Sequence, residues 1–243
     1  MLPLHYARIT RTMISLIMLG YAAYSDAKSR EVDDVVWLLL CVLTAPFILL
    51  ELAALDDYFL KAYVISIHIA FTLGLSVSAF NLMGEADFLA LSCIGLVTIP
   101  TRVSPLGLFP SISVLTNSLL LSCAFPLSLL FQNLKLIFKG EEPFKNIEAG
   151  KLTKFLALFT LKTVTREEYL SKKDFYSLAE RTVNDKRYLT IKLGIDTVQE
   201  QISSPIVWVS PHIPFVTVLA IGYLTHIFLG SLLEIILIAL NLL

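Results

Sequence analysis

The sequence has few charged residues and few cysteines, and these shortages exclude several classes of protein. Only 16% of the 243 residues are charged, the formal net charge is -1, and no basic tract is present. A protein that neutralises phosphates needs such a tract, so nucleic-acid binding is not expected. Cys41, Cys93 and Cys123 lie in apolar stretches without CxxC spacing, which predicts small buried side chains instead of a zinc site or disulfides.

Motifs for covalent and metal-assisted catalysis are also missing. The chain has no GxSxG motif, and no serine or cysteine has an evident catalytic partner. His68, His212 and His226 do not have the spacing of a metal site, so neither a metal nor another cofactor is expected. No small-residue cleavage site follows the first apolar run, which therefore predicts a retained helix and not a signal peptide.

Apolar residues are abundant, at 56% of the chain with a mean hydropathy of +0.75. This composition predicts an all-α polytopic membrane protein with about six transmembrane helices and a small α+β insert before the last one. In the first helix, Arg8 and Arg11 are expected to extend to water at one membrane face. The fourth helix is too short to cross a bilayer, so we expect it to begin inside a polar pocket. The six helices are predicted at residues 4–26, 35–50, 58–83, 88–100, 108–131 and 214–242.

The sequence changes character near residue 139. Between Lys139 and Pro205 lie 12 of the 19 Lys and Arg residues and 10 of the 20 acidic residues. We predict a water-facing insert with an amphipathic helix at 146–161 lying against the membrane, and short strands at YLTIKL and IVWVS. The positive-inside rule then favours a cytoplasmic location for the insert. The predicted domains are 1–138, holding the first five helices, the insert at 139–209, and the last helix at 210–243.

Two aspartates are predicted to lie at the same membrane face. Asp26 ends the first helix and Asp87 begins the fourth. Ionisable residues in membrane helices are costly and often functional. Two neighbouring carboxyl groups tend to share a proton, which suits one to act as general base and the other as general acid in peptide hydrolysis. Gly84 would let the backbone bend and let a substrate strand approach closely.

Other interpretations of these acids remain open. Glu85 and Asp87 could each simply cap the fourth helix, and Asp33 or Asp34 could cap the second. Asp26 and Asp87 could instead relay protons or bind a cation in a transporter. A non-catalytic assembly platform is a third possibility. Replacing either aspartate by asparagine would separate the three.

Three segments carry a resemblance to a known family. YSDAKSREVDD, GEADF and WVSPHIP resemble sequences of the archaeal preflagellin and type IV prepilin peptidases, which are GxGD-type intramembrane aspartyl proteases. The resemblance implies that Asp26 and Asp87 are catalytic, with Arg30 matching the arginine that follows the first aspartate. The motif reads Gly84, Glu85, Ala86, Asp87, so alanine stands at the third position, where a glycine is usual.

The resemblance also implies a substrate and a location. The substrate would be a pilin-like or archaellin precursor whose short basic leader is removed at the cytoplasmic face of the cell membrane. Glu31, Asp33, Asp34 and Glu85 would make the entrance acidic and attract a basic leader. The cysteine-rich segment of the bacterial prepilin peptidases is missing, so their methylation activity is not implied. The expected partners are precursor proteins and the lipid bilayer.

Overall fold

The computed structural model describes residues 2–79, 84–101, 104–183, 186–190 and 204–242. These residues are mostly helical and carry two small sheets. The helices are α1 (Leu2–Ser29), α2 (Asp34–Leu52), α3 (Asp57–Ala79), α4 (Glu85–Val97), α5 (Pro110–Ser122), α6 (Ala124–Phe138), α7 (Lys151–Thr160), α8 (Arg166–Ser171), α9 (Phe215–Leu229) and α10 (Leu232–Ala239). The strands are β1 (Ile147–Glu148), β2 (Lys162–Thr165), β3 (Tyr176–Leu178), β4 (Glu180–Val183), β5 (Lys186–Leu189) and β6 (Ile206–Pro211).

The chain folds into two compact units. One contains Met1–Leu121 and Pro214–Leu243, and the other contains Ser122–Ile213. These units are defined by packing within the protein. They do not test the predicted division into membrane helices and a water-facing insert, which is a statement about the bilayer and stays a prediction.

Several helices are suited to cross a membrane, as expected of a membrane protein. Within the described ranges, three stretches are long and apolar enough: α2, Asp57–Ser76 of α3, and Pro110–Phe138. A fourth is formed if α9 and α10 count as one span bent by 57°. The predicted count of about six is not confirmed. The reason is clearest at α4, whose 13 residues extend about 20 Å and cannot cross a hydrocarbon core of about 30 Å.

The helix boundaries differ from the predicted ones for local reasons. Helix α4 begins three residues earlier than expected, because the Gly84 carbonyl already accepts hydrogen bonds from the amides of Asp87 and Phe88. The predicted end of the third helix, at residues 80–83, lies outside the described residues. The predicted last helix is broken at Gly230, whose φ of 79° is readily adopted only by glycine.

Helix α4 lies at the centre of the first unit and packs against α1, α2, α3 and α9. Its residues Ala90, Leu91 and Ile94 are almost fully buried in the apolar core. Helix α3 approaches it so closely that a Cβ at Gly95 would lie 2.6 Å from the Cβ of Ala70. Glycine at this position therefore permits the close α3–α4 contact.

Inside the first unit, polar side chains donate hydrogen bonds to the last carbonyl groups of α4. Arg11 donates to the Val97 carbonyl, and its Nε lies 2.6 Å from Glu51 Oε1. Tyr63 donates to the Leu96 carbonyl at 2.5 Å. The expectation that Arg11 extends to water is wrong, since Arg11 is only 4% exposed. The last carbonyls of a helix lack intrahelical partners and carry its negative dipole end, so a buried cation is favourable there.

The second unit contains two three-stranded sheets, ordered β1-β5-β4 and β2-β6-β3. Trp208 of β6 is fully buried, stacks on Phe144 and donates its indole N–H to the Pro143 carbonyl at 2.9 Å. The predicted strand IVWVS lies within β6, and YLTIKL begins in β5, while its last three residues lie outside the described part of the chain. The predicted amphipathic helix corresponds to α7.

Between β4 and β5, a buried ion pair joins Glu180 to Arg187 at 2.6 Å. Burial raises the pKa of the Glu180 carboxyl group, and the positive charge of Arg187 opposes that shift. The pair therefore lies in a part of this unit with restricted access to water.

Candidate active site

Asp26 lies in the last turns of α1 and is 7% exposed. Its Oδ2 accepts a hydrogen bond from the backbone amide of Thr217 at 3.0 Å and contacts the Thr217 hydroxyl at 3.2 Å. The same hydroxyl lies 2.9 Å from the carbonyl of Ala23. Thr217 is in the first turn of α9, so the start of this helix fixes the orientation of the Asp26 carboxyl group.

Asp87 lies in the first turn of α4. Its Oδ2 accepts a hydrogen bond from the backbone amide of Gly84 at 3.0 Å, and the backbone amide of Val216 also interacts with this carboxyl group. Asp26 is near enough to Asp87 to interact with it electrostatically. The first turn of α9 therefore holds Asp26 by hydrogen bonds and acts electrostatically on Asp87. Amides in a first helical turn lack intrahelical acceptors and carry the positive dipole end, which suits them to hold carboxylates.

Val216 and Thr217 are site residues that the sequence reasoning missed. Backbone amides carry no side-chain signature, so the contribution of Val216 has no sequence signal of its own. Pro214 precedes α9 and marks the start of the helix. A hydroxyl residue three positions after that proline was therefore the available signal for Thr217.

Arg30 follows α1 directly and has a φ of 62°, an uncommon value for a residue other than glycine. Its amide donates to the carbonyl of Asp26 at 3.0 Å. Its positive charge acts on the carboxyl group of Asp87. Arg30 therefore contacts the backbone at one aspartate and lies within electrostatic reach of the other.

The other predicted site residues lie around these two acids in different roles. Asp33 caps α2, because its carboxylate accepts from the Val35 amide at 2.9 Å, so the capping interpretation holds for Asp33. Glu31, Asp34 and Glu85 are exposed, whereas Ala86 is partly buried against the core. Their part in an acidic entrance for a substrate stays a prediction.

Gly84 has ordinary extended backbone angles, with φ -75° and ψ 167°. Among the described residues, a Cβ added there would meet Asp87 Oδ2 at 3.8 Å, which is an ordinary contact. The fold itself therefore does not require glycine at this position.

The histidines make hydrogen bonds that need no metal. His226 of α9 bonds Ser113 of α5 at 2.8 Å, and His212 bonds Ser177 at 2.7 Å. In the part of the chain that the structure describes, no group of three or more His, Cys, Asp or Glu side chains could hold a metal ion. A cavity of about 370 Å³ lies in the second unit, lined in part by Glu142, Arg187 and Trp208, and neither aspartate lines it.

Two carboxyl groups held near each other by backbone donors can share one proton, and such a pair can both accept and donate protons in hydrolysis. No curated protein sequence matches the chain. Residues 13–132 match the family model of the type IV leader peptidases, and this segment contains both Asp26 and Asp87. The predicted resemblance to the prepilin peptidases is thereby confirmed over 120 of the 243 residues, and the family match indicates that this membrane protein is a protease.

Proposed function

We propose that this protein is an aspartic-type endopeptidase that removes the short basic leader from pilin-like or archaellin precursors at the cytoplasmic face of the membrane. Asp26 and Asp87 are the proposed catalytic pair. The observation that carries the proposal is the start of α9, where the Thr217 amide donates to Asp26 at 3.0 Å and the Val216 amide acts on the carboxyl group of Asp87. This arrangement brings together two acids that belong to different helices.

The proposed chemistry needs one ionised and one protonated carboxyl group. The ionised partner takes a proton from water, and the resulting hydroxide attacks the carbonyl carbon of the scissile amide. The protonated partner donates its proton to the carbonyl oxygen, and a tetrahedral intermediate forms. When the C–N bond breaks, a proton passes to the leaving nitrogen and the new carboxyl terminus is released. No covalent bond to the enzyme forms.

The closeness of the two acids supports the assignment of one as general base and the other as general acid. Like charges at short range disfavour double ionisation, so one proton tends to remain on the pair. Arg30, whose positive charge acts on Asp87, and the amides at the start of α9 stabilise the single negative charge that remains. The site is therefore suited to hold one proton and one charge at the same time.

Charge complementarity supports the proposed substrate class. Glu31, Asp34 and Glu85 are exposed on the segments next to the two aspartates. A basic leader would be attracted to these carboxylates, while the hydrophobic helix that follows it would remain in the bilayer. Cleavage would then fall between the basic and the apolar parts of the precursor.

Co-expression with a pilin-like precursor tests the proposal. Cells carrying the wild-type chain should yield a shortened precursor, detected by gel mobility and by sequencing of its new amino terminus. Asp26→Asn and Asp87→Asn should abolish the shift. The matched control is Asp57→Asn at the exposed start of α3, which should process normally. Normal processing by either active-site variant would refute the proposal.

A further inference from the structure

Helix α7 in the second unit exposes an apolar face. Leu152, Phe155 and Leu156 are 70%, 56% and 42% exposed, and Phe159 follows one turn later, partly buried. The spacing i, i+3, i+4 and i+7 places the four side chains in one stripe about 100° wide along the helix. We call these four residues the α7 stripe. A stripe of this kind normally faces a protein core or a lipid surface.

The α7 stripe is not the face that packs within the unit. Ala157, which is fully buried, lies on the opposite side of the helix. Helix α7 packs against α6, where the amide of Asn133 donates to the carbonyls of Leu158 and Leu161 at 2.9 and 2.8 Å. The four apolar side chains therefore point away from α6, and three of them are largely exposed in the described structure.

The helix beneath α7 indicates what covers the stripe. Helix α6 also has an exposed apolar surface, on which Leu127, Phe131 and Phe138 are 50%, 69% and 85% exposed. It forms the second half of Pro110–Phe138, a stretch long and apolar enough to cross a membrane. Because α7 packs directly on such a helix, its outward face lies close to the lipid that surrounds the helix. The nearest apolar phase for the α7 stripe is therefore the bilayer.

The charges around α7 favour an anionic lipid surface. Residues 135–162 contain six lysines and three glutamates. Glu142 and Glu148 are paired with Lys145 at 3.3 Å and Lys186 at 2.7 Å, respectively. Lys151 lies on α7 beside the stripe, whereas Lys154 lies across the helix from it, with its ammonium 5.8 Å from the centroid of the Phe144 ring. A short helix with an apolar stripe and neighbouring lysines has the character of helices that lie in the membrane interface and bind anionic headgroups.

We propose that α7 is an interfacial membrane helix. Its stripe enters the boundary between headgroups and acyl chains, and the neighbouring Lys151 contacts anionic headgroups, so that the second unit is held at the bilayer surface. Leader cleavage is not part of this proposal. This role of α7 can be tested separately from the catalytic role of Asp26 and Asp87. The partner is lipid and not a second copy of the chain.

Spin labels on the full-length protein test the proposal directly. Cys41, Cys93 and Cys123 are first replaced by alanine, and single labels are placed by Phe155→Cys on the stripe and Val183→Cys on β4. These two positions are comparably exposed, at 56% and 45%, which makes Val183 a matched control. In vesicles of mixed phosphatidylcholine and phosphatidylglycerol, the label at 155 should be several-fold more accessible to oxygen than to a water-soluble nickel chelate. The label at 183 should show the reverse.

Two outcomes would overturn the proposal. A label at 155 that the nickel chelate reaches as easily as the label at 183 would show that α7 faces water. A label at 155 shielded from both reagents would show that another protein surface covers the stripe.

The contribution of charge needs a separate comparison. Lys151→Gln should make the label at 155 shallower in vesicles containing phosphatidylglycerol and should have little effect in pure phosphatidylcholine. Phe155→Ser labelled at Leu156→Cys should lose depth in both kinds of vesicle. An unchanged depth in the lysine variant would refute the anionic-headgroup part of the proposal.

Discussion

The two ends of α4 differ in the charged side chains buried beside them. At the carboxyl end, Arg11 and Glu51 form a close ion pair, and Arg11 also donates to the last turn of the helix. At the amino end, two acids, Asp26 and Asp87, lie near each other and are held mainly by backbone amides. At the carboxyl end, the carboxylate of Glu51 is stabilised by two cations, Arg11 at 2.6 Å and the more exposed Arg8 at 3.5 Å. The like-charge pair at the amino end tends to share one proton, which is what the proposed catalysis requires.

The largest expected effect comes from removing one acid at the amino end. Asp26→Asn and Asp87→Asn each keep the size of the side chain but remove its ability to transfer a proton, so leader cleavage should fall by about 10²–10⁴-fold or more. The thermal unfolding temperature in detergent should stay within a few degrees of wild type, because the amide oxygen of asparagine can accept the hydrogen bonds that Gly84 and Thr217 donate to the two carboxyl groups. Precursor cleavage assays and circular dichroism measure the two effects. Lost activity together with a large drop in unfolding temperature would indicate a structural role instead.

At the carboxyl end, breaking the pair should damage the fold and not the chemistry. Arg11→Met leaves Glu51 buried and without its closest cation, and such a change typically destabilises a protein by about 3–5 kcal/mol. Arg11→Met with Glu51→Met removes both charges and should recover most of that loss, since a buried ion pair is often replaceable by apolar side chains. Unfolding temperatures of the three proteins measure this. A double variant no more stable than Arg11→Met would show that the contact of Arg11 with the Val97 carbonyl dominates.

The sequence predicted the amino end of α4 far better than its carboxyl end. The order of apolar stretches was enough to bring the end of the first helix and the start of the fourth to one face, and so to pair Asp26 with Asp87. No such pattern in the sequence identified the partners of Arg11. An arginine near the start of an apolar helix is usually exposed, and its pairing with Glu51 depends on the packing of α1 against α2.

The contribution of the α9 backbone to the site could also not be predicted from the sequence. The amides that act on the two carboxyl groups belong to the backbone of Val216 and Thr217, and any residue except proline would supply them. What selects them is the position at which α9 begins, next to α1 and α4. The number of membrane spans was not confirmed for a related reason. Membrane spans are predicted from length and hydropathy, whereas the position of a short segment such as α4 is determined by its contacts with other helices.

A smaller effect is expected at Thr217, whose hydroxyl contacts Asp26 in addition to the hydrogen bond from its backbone amide. Thr217→Val keeps the shape and the amide but removes the hydroxyl that contacts Asp26 Oδ2. The single hydroxyl proton is shared between Asp26 Oδ2 at 3.2 Å and the Ala23 carbonyl at 2.9 Å, so loss of the hydroxyl should cost about 1 kcal/mol and lower kcat several-fold while KM changes little. The pH dependence of kcat should also shift, because the hydroxyl distinguishes the ionised from the protonated carboxyl group.

Thr217→Ser is the matched control, since it restores the hydroxyl without the methyl group. It should recover most of the rate and the wild-type pH profile. If valine and serine variants have the same rate and profile, the hydroxyl has no part in positioning Asp26, and the amide alone would account for the contact.

The smallest effect is expected at Gly84, and it separates folding from substrate binding. Gly84→Ala adds a Cβ whose contact within the described structure is Asp87 Oδ2 at 3.8 Å, in a backbone conformation that alanine adopts easily. Stability should therefore change by less than about 1 kcal/mol. If a precursor strand approaches this backbone closely, KM should nevertheless rise several-fold. Gly20→Ala, where a Cβ meets nothing within 4 Å, is the control and should leave both quantities unchanged. An unaltered KM in Gly84→Ala would mean that the substrate does not pass along the amino end of α4, even if the two aspartates cut it.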